Sequence, residues 1–405
     1  MTQQNDRFFI SRRQFLQALG VTGLTAVSTT LLPPLFALTP QNTRLEKWIP
    51  NSANLIEWRY LAGRITDATQ DFGFILSVSF IRLPGDSRQE LLVQRQDLAG
   101  SGNFVGNTYS GTLSYDAASA TYTFVDETAV SAVTWTWDEA LQQYRLTANT
   151  PELVLTDLVL QPQGALIPEG GDGDINVGRA QGIPVVSNYD ADWVLISQDG
   201  VEKGVGRLDM QGLRPSFLRK FDLGQAEPDK ASRAASQDVE PGGYDHDWFA
   251  VAAELVDGTA VWISAWRIED DISGPYWTTT IATGSGQNWA IATSLTETST
   301  TDALVVTEQA WQPLPPSTGV EHLRVGRVWR IQAPNNVLDI TVGVIAGQLT
   351  ISPRHAGLLG QAFMVEAVGT EASGTVNGVA IASTKLAVAE STHEFYTSYI
   401  PIIRK

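Results

Sequence analysis

The chain has 405 residues, 43% of them hydrophobic and 18% charged, with a formal net charge of −17 and no cysteine. A length beyond the ~250–300 residues at which single cores stop growing predicts two domains, and the composition is that of a globular chain rather than a disordered one. The acidic balance excludes a general nucleic-acid binder, which needs a basic face to displace counterions, and the missing cysteines exclude disulfides, thiolate metal sites and thiol nucleophiles.

Residues 1–38 read as an export leader. Ser11-Arg12-Arg13-Gln14-Phe15-Leu16 is a twin-arginine pattern, and an apolar run follows through Leu38. The run approaches the ~20 residues that span a bilayer, but Pro33-Pro34 interrupts it. The expected destination is the periplasm or cell envelope of a bacterium, reached already folded. Cleavage and retention as a membrane-proximal anchor both stay open.

From Glu57 onward the pattern is strand-like. The runs 55–65, 73–82, 121–125, 133–137 and 144–148 are short and rich in β-branched and aromatic residues, and 152–160 alternates apolar with polar. Turn clusters such as Asp67–Asp71 and Pro84-Gly85-Asp86 separate them. Strands at regular spacing with turn punctuation predict an all-β barrel or sandwich. The small, polar stretch 223–240 reads as a linker or long loop between a β domain over 45–222 and a second over 241–402. The second half repeats the β pattern, and no long amphipathic helix follows the leader.

The richest chemistry lies in 242–267, GGYDHDWFAVAAELVDGTAVWISAWR. Asp257-Gly258 between alternating apolar runs predicts a hairpin, because Gly accepts the positive φ of a primed turn. Tyr244, Asp245, His246, Asp247 and Trp248 stand at its open end. A carboxyl buried among aromatics keeps its proton, since desolvation penalises the anion. Asp247 and Asp245 share one face of an extended chain and His246 takes the other. A turn cap or a solvated pair is the structural alternative. Glu57 is the second candidate acid; a Glu57–Arg59 pair, or a link to Arg82, is its structural reading. The four histidines are too scattered for a metal motif, and no nucleotide fingerprint is present, so neither metal nor cofactor is expected.

The stretch 55–82, LIEWRYLAGRITDATQDFGFILSVSFIR, resembles the entry signature of the AttH-like and hydroxyneurosporene synthase (carotenoid hydratase) family. Glu57, Trp58, Tyr60, Gly63, Thr66, Asp67, Phe72, Gly73, Phe74, Phe80 and Arg82 match it, and Arg59 replaces a Trp. Asp247-Trp248-Phe249 with Asp257-Gly258 is similar to a second family motif, and Gly374-Thr375-Val376-Asn377-Gly378 to the closing hairpin. The resemblance implies two tandem lipocalin-like antiparallel β-barrels and an apolar cavity for a hydrophobic small molecule: a polyene, terpenoid or polyketide. It departs at 204–213, GVGRLDMQGL: Asp209 is kept, but Met210 stands where the family has His and Gly212 where it has Trp.

Two function classes follow. One is a cofactor-free hydratase or cyclase acting in an aromatic-lined cavity, with Asp247, His246, Asp245 and Glu57 as candidate acids and bases. Trp58, Tyr60, Tyr244, Trp248, Trp262, Trp266 and Asp209 are then ligand contacts. The other is a carrier that kept the barrels without the acid. An envelope protein acting in attachment or assembly is a third reading.

Overall fold

The computed structural model describes residues 44–83, 86–98, 104–164, 166–168, 175–176, 184–213, 244–270, 276–284, 290–297, 305–313, 324–333, 337–343, 350–352, 361–368 and 371–395. At 244–247 and 266–270 the backbone alone is described. The leader and the 223–240 stretch lie outside the described residues.

A five-residue helix, α1 (Arg44–Trp48), precedes β1 (Ile56–Thr66), β2 (Asp71–Leu83), β3 (Asp86–Asp97), β4 (Phe104–Asp116), β5 (Thr121–Asp126), β6 (Ala132–Asp138), β7 (Gln143–Asn149) and β8 (Val154–Pro162). Two short strands, β9 (Ile167–Pro168) and β10 (Ile175–Asn176), lead into β11 (Pro184–Gln198) and β12 (Val201–Leu213). β12 pairs with β1, and β11 pairs back onto β8 through Val194–Ser197. The ladder therefore closes into a ten-stranded antiparallel barrel. Closure removes the exposed edges of an open sheet.

The second half supplies β13 (Tyr244–Leu255), β14 (Ala260–Asp270), β15 (Tyr276–Gly284), β16 (Ala290–Glu297), β17 (Val305–Pro313), β18 (Arg324–Ala333), β19 (Leu338–Gly343), β20 (Thr350–Ser352), β21 (Gln361–Val368), β22 (Glu371–Val376) and β23 (Val379–Phe395). They form one eleven-stranded sheet in which β23 pairs with β13, β21 and β22. The chain is thus all-β, a closed barrel followed by a second antiparallel sheet.

The two expected hairpins are present. Gly258 has φ +84 between β13 and β14, and Asn377 and Gly378 have φ +50 and +77 between β22 and β23. A primed turn, Asp199-Gly200, also joins β11 to β12, whereas at 257–258 only Gly258 takes a positive φ and its N–H donates to the Leu255 carbonyl, a three-residue loop rather than the expected primed turn. Sequence reasoning missed β3, β4 and β11. Much of β4 is exposed on both faces, so it lacks the apolar alternation that marks a half-buried strand.

Strand alternation sorts the side chains into three cores. Leu61, Leu76, Leu208 and Met210 face the barrel interior with a group of aromatics. Tyr60, Ala62, Ile75, Ala191 and Trp193 face outward and pack on Trp248, Ala250, Trp262 and Val388 of the second sheet. Phe249, Val251 and Ile263, on the other face of that sheet, join Trp329 and Ile340. The middle cluster is an apolar seam between barrel and second sheet.

Candidate ligand site

One end of the barrel is sealed from within. Trp48 of α1 is fully buried, edge-on to Tyr122 at 5.0 Å and close to Tyr144 at 5.2 Å. Its indole N–H donates to the Ala120 carbonyl at 2.8 Å. Arg59 closes the C-terminal end of α1 by donating Nη2–H to the carbonyls of Lys47, Trp48 and Ile49. A cation is favoured there because the last helical carbonyls have no partner within the helix. Arg44 holds both carboxylate oxygens of Asp192, at 2.6 and 3.1 Å, and Tyr144 donates to the same carboxylate at 2.8 Å. Lys47 pairs with Asp190 at 2.7 Å. Burial pushes the Asp192 carboxyl above its ordinary range, against the opposing pull of Arg44 and Tyr144. Burial likewise raises the Tyr144 hydroxyl well above its usual value.

Glu57 belongs to this structural end. It pairs with Arg59 at 3.0 Å and Arg82 at 3.5 Å, and both its oxygens accept the Asn51 amide at 2.9 Å. Its strand position is on the barrel-interior side, opposite to Tyr60.

The seam brings together residues far apart in the chain. Arg207 donates Nε–H to Asp209 Oδ1 at 2.8 Å, and the two side chains are 0% and 1% exposed. The guanidinium lies 5.3 Å from the Trp193 ring and 5.2 Å from the Trp248 ring. Trp193 lies tilted against Trp262 at 4.9 Å, Tyr60 meets Trp248 edge-on at 5.9 Å, and Trp248 donates to Ser264 Oγ at 3.3 Å. Buried ion pairs pay a desolvation cost that a packed apolar substitute would avoid, so they are weak stability devices. Here the pair sits inside an otherwise aromatic and aliphatic contact.

Of the residues singled out from sequence, the seam gathers Tyr60, Trp248, Trp262 and Asp209, with the partly buried Trp58 packed against it. Tyr244, Asp245, His246, Asp247 and Trp266 lie in β13 and β14, but their side chains are outside the described residues. Their register is described. β13 pairs with β14 without interruption from Tyr244 to Glu254, so position 246 shares the ladder face of Trp248 and positions 245 and 247 share that of Phe249.

Arg207, Trp193 and Ser77 were missed. Strand parity could have found the first two: Arg207 and Asp209 share a face, and Trp193 is opposite Arg207 in register. The same parity sends Met210 and Gly212 to the barrel-interior side. Met210 packs in the interior cluster, and a Cβ at Gly212 would come 2.0 Å from Asn54 Nδ2. The positions where the family has His and Trp therefore point away from the seam.

No family model matches the sequence, and neither does any curated protein. Solved structures do match the fold. The AttH-like protein of Nitrosomonas europaea aligns with a TM-score of 0.54 at 16% identity, over 90% of this chain and 99% of its own. Kievitone hydratase of Nectria haematococca aligns at 0.52 and 13% identity, over 88% and 94% of the two chains. The fold of this chain is lipocalin-like, as the resemblance of its motifs implies; of the two barrels expected, the first is closed and the second half, among the described residues, forms an antiparallel sheet.

Proposed function

We propose that the chain holds a hydrophobic small molecule (a polyene, terpenoid or polyketide) in the seam between barrel and second sheet and transforms it there. The observation that carries this reading is the Arg207–Asp209 pair, enclosed between two indole rings in an apolar contact. It supplies a fixed polar anchor in a contact whose lining is mainly aromatic and aliphatic. Of the two reactions, cyclisation fits better than hydration. Alkene hydration passes through a carbocation that needs free aromatic faces, and the rings of Trp193 and Trp248 already serve the Arg207 guanidinium. Acid–base help falls to His246 in preference to Asp247, because position 246 shares the ladder face of Trp248.

A carrier is the second reading, supported by Glu57, whose carboxylate is committed to Arg59, Arg82 and the Asn51 amide. Extraction of the purified full chain with organic solvent separates the two. A single apolar compound released unchanged in near-stoichiometric amount, and left unchanged on re-addition, supports the carrier. Its conversion on re-addition, abolished by Asp209→Asn or His246→Ala, supports the enzyme. A chain that yields and retains no apolar compound overturns both.

We also propose export through the leader at 1–38, on the strength of Ser11–Leu16. Replacing Arg12 and Arg13 by Lys should hold the protein in the cytoplasm; unchanged fractionation refutes it.

A further inference from the structure

Across three neighbouring strands of the seam, Asp209, Tyr60 and Ser77 stand in one register line: Asp209 opposite Tyr60 on β1, and Tyr60 opposite Ser77 on β2. The line continues to the apolar Ala191 on one side and Leu92 on the other. Leu76 and Val78, the neighbours of Ser77, face the barrel interior, so Ser77 is on the outward side with Tyr60. Ser77 is 0% exposed, and its Oγ has no hydrogen-bond partner among the described residues. A hydroxyl is both donor and acceptor, and folding removes water from it here without giving anything back. Alanine would fill this place at lower cost.

We infer that Ser77 is the ligand contact that makes the seam select an apolar guest bearing a hydroxyl or carbonyl oxygen over a plain hydrocarbon. The inference rests on the seam being the ligand site. With strands ~4.8 Å apart, Ser77 is about 10 Å from Asp209 across Tyr60. The guest's oxygen is therefore received at a point separate from the Arg207–Asp209 anchor. The hydroxyl distinguishes an oxygenated guest from its hydrocarbon counterpart because only the former relieves the unmet Oγ.

The test uses two matched fluorescent probes, pyrene and 1-pyrenemethanol, titrated into the full chain with quenching of tryptophan emission as the readout. Wild type is expected to bind 1-pyrenemethanol about tenfold more tightly than pyrene, the range that one hydrogen bond to a buried group supplies. In Ser77→Ala the ratio should fall to about one while pyrene affinity is kept and the melting temperature is not lowered. Ser77→Thr, which retains the hydroxyl, should keep the preference. Equal binding of the two probes by wild type, or an undiminished ratio in Ser77→Ala, overturns the role of Ser77 and leaves the seam reading standing. Binding of neither probe, or binding unaffected by Trp262→Ala, overturns the seam as the ligand site and this inference with it.

Discussion

Arg207 and Asp209 are two residues apart on β12, and the hydrogen bond between their side chains, 2.8 Å long, lies wholly out of solvent. Removing Arg207 takes a charged hydrogen-bond donor away from the buried Asp209 carboxylate. Arg207→Met alone should therefore cost about 3–5 kcal/mol, read from urea unfolding. The double substitution with Asp209→Leu should recover part of that loss, because it removes both desolvation costs. If the seam is the ligand site, the stable double variant should release no apolar compound on extraction.

Restoring the family's residues at 210 and 212 should not restore hydratase chemistry. Met210→His places an imidazole in the barrel interior, where burying an unmatched polar ring costs about 1–3 kcal/mol. Gly212→Trp meets Asn54, whose Nδ2 lies 2.0 Å from the Cβ position, and overpacking adds about 1–3 kcal/mol more. Both variants should lower the melting temperature and leave the probe preference of the seam unchanged. A gain of hydration on an extracted polyene would refute the assignment of these positions to the barrel side.

Trp48→Ala should be among the most damaging single changes in the barrel. It deletes a fully buried indole together with the Ala120 hydrogen bond, and large-to-alanine changes at such sites cost about 3–5 kcal/mol. Thermal unfolding of full-length variants checks this. A loss smaller than about 1 kcal/mol would mean that α1 does not seal the barrel end.

Asp192 gives a pH signature of definite sign. Burial raises its carboxyl above the ordinary 3.8, so the folded chain retains a proton that the unfolded chain has already released. The stabilising contribution is full below 3.8 and is lost as pH rises through the folded value. The difference in unfolding free energy between wild type and Asp192→Asn should therefore fall with rising pH across that window and then level off. The opposite slope would mean that the Arg44 fork outweighs burial.

The β character, the Asp257-Gly258 and Asn377-Gly378 turns, and three members of the seam were legible because each is written in local sequence, whereas Asp209 was reached through the family resemblance. Asp-Gly and Asn-Gly declare their turns through φ alone, and Tyr60, Trp248 and Trp262 are large apolar residues in alternating runs. Arg207 was not legible in the same way. An arginine within a glycine-rich strand reads as solvated until Trp193, from the preceding strand, and Trp248, from the next half of the chain, are brought over it. Ser77 is silent in sequence, since a serine in a strand gains meaning only from the partners it lacks. α1 is too short for a helical period to show; the Glu57 links to Arg59 and Arg82 were legible, but its acceptance of the Asn51 amide depends on a fold not visible in the local pattern.

The strand that anchors the second sheet is β23, the last one in the chain, and its Leu386–Thr392 segment lies against Ala252–His246 of β13, some 140 residues earlier. A nascent chain emerging in order presents the backbone edge of β13 long before its cover is synthesised. Open edges of this kind recruit other chains. The barrel can assemble during translation, whereas the sheet that roofs the seam must wait for the ribosome to reach residue 395. Chaperone occupancy during synthesis should accordingly concentrate on the stretch following β12 and disappear only once β23 has been released.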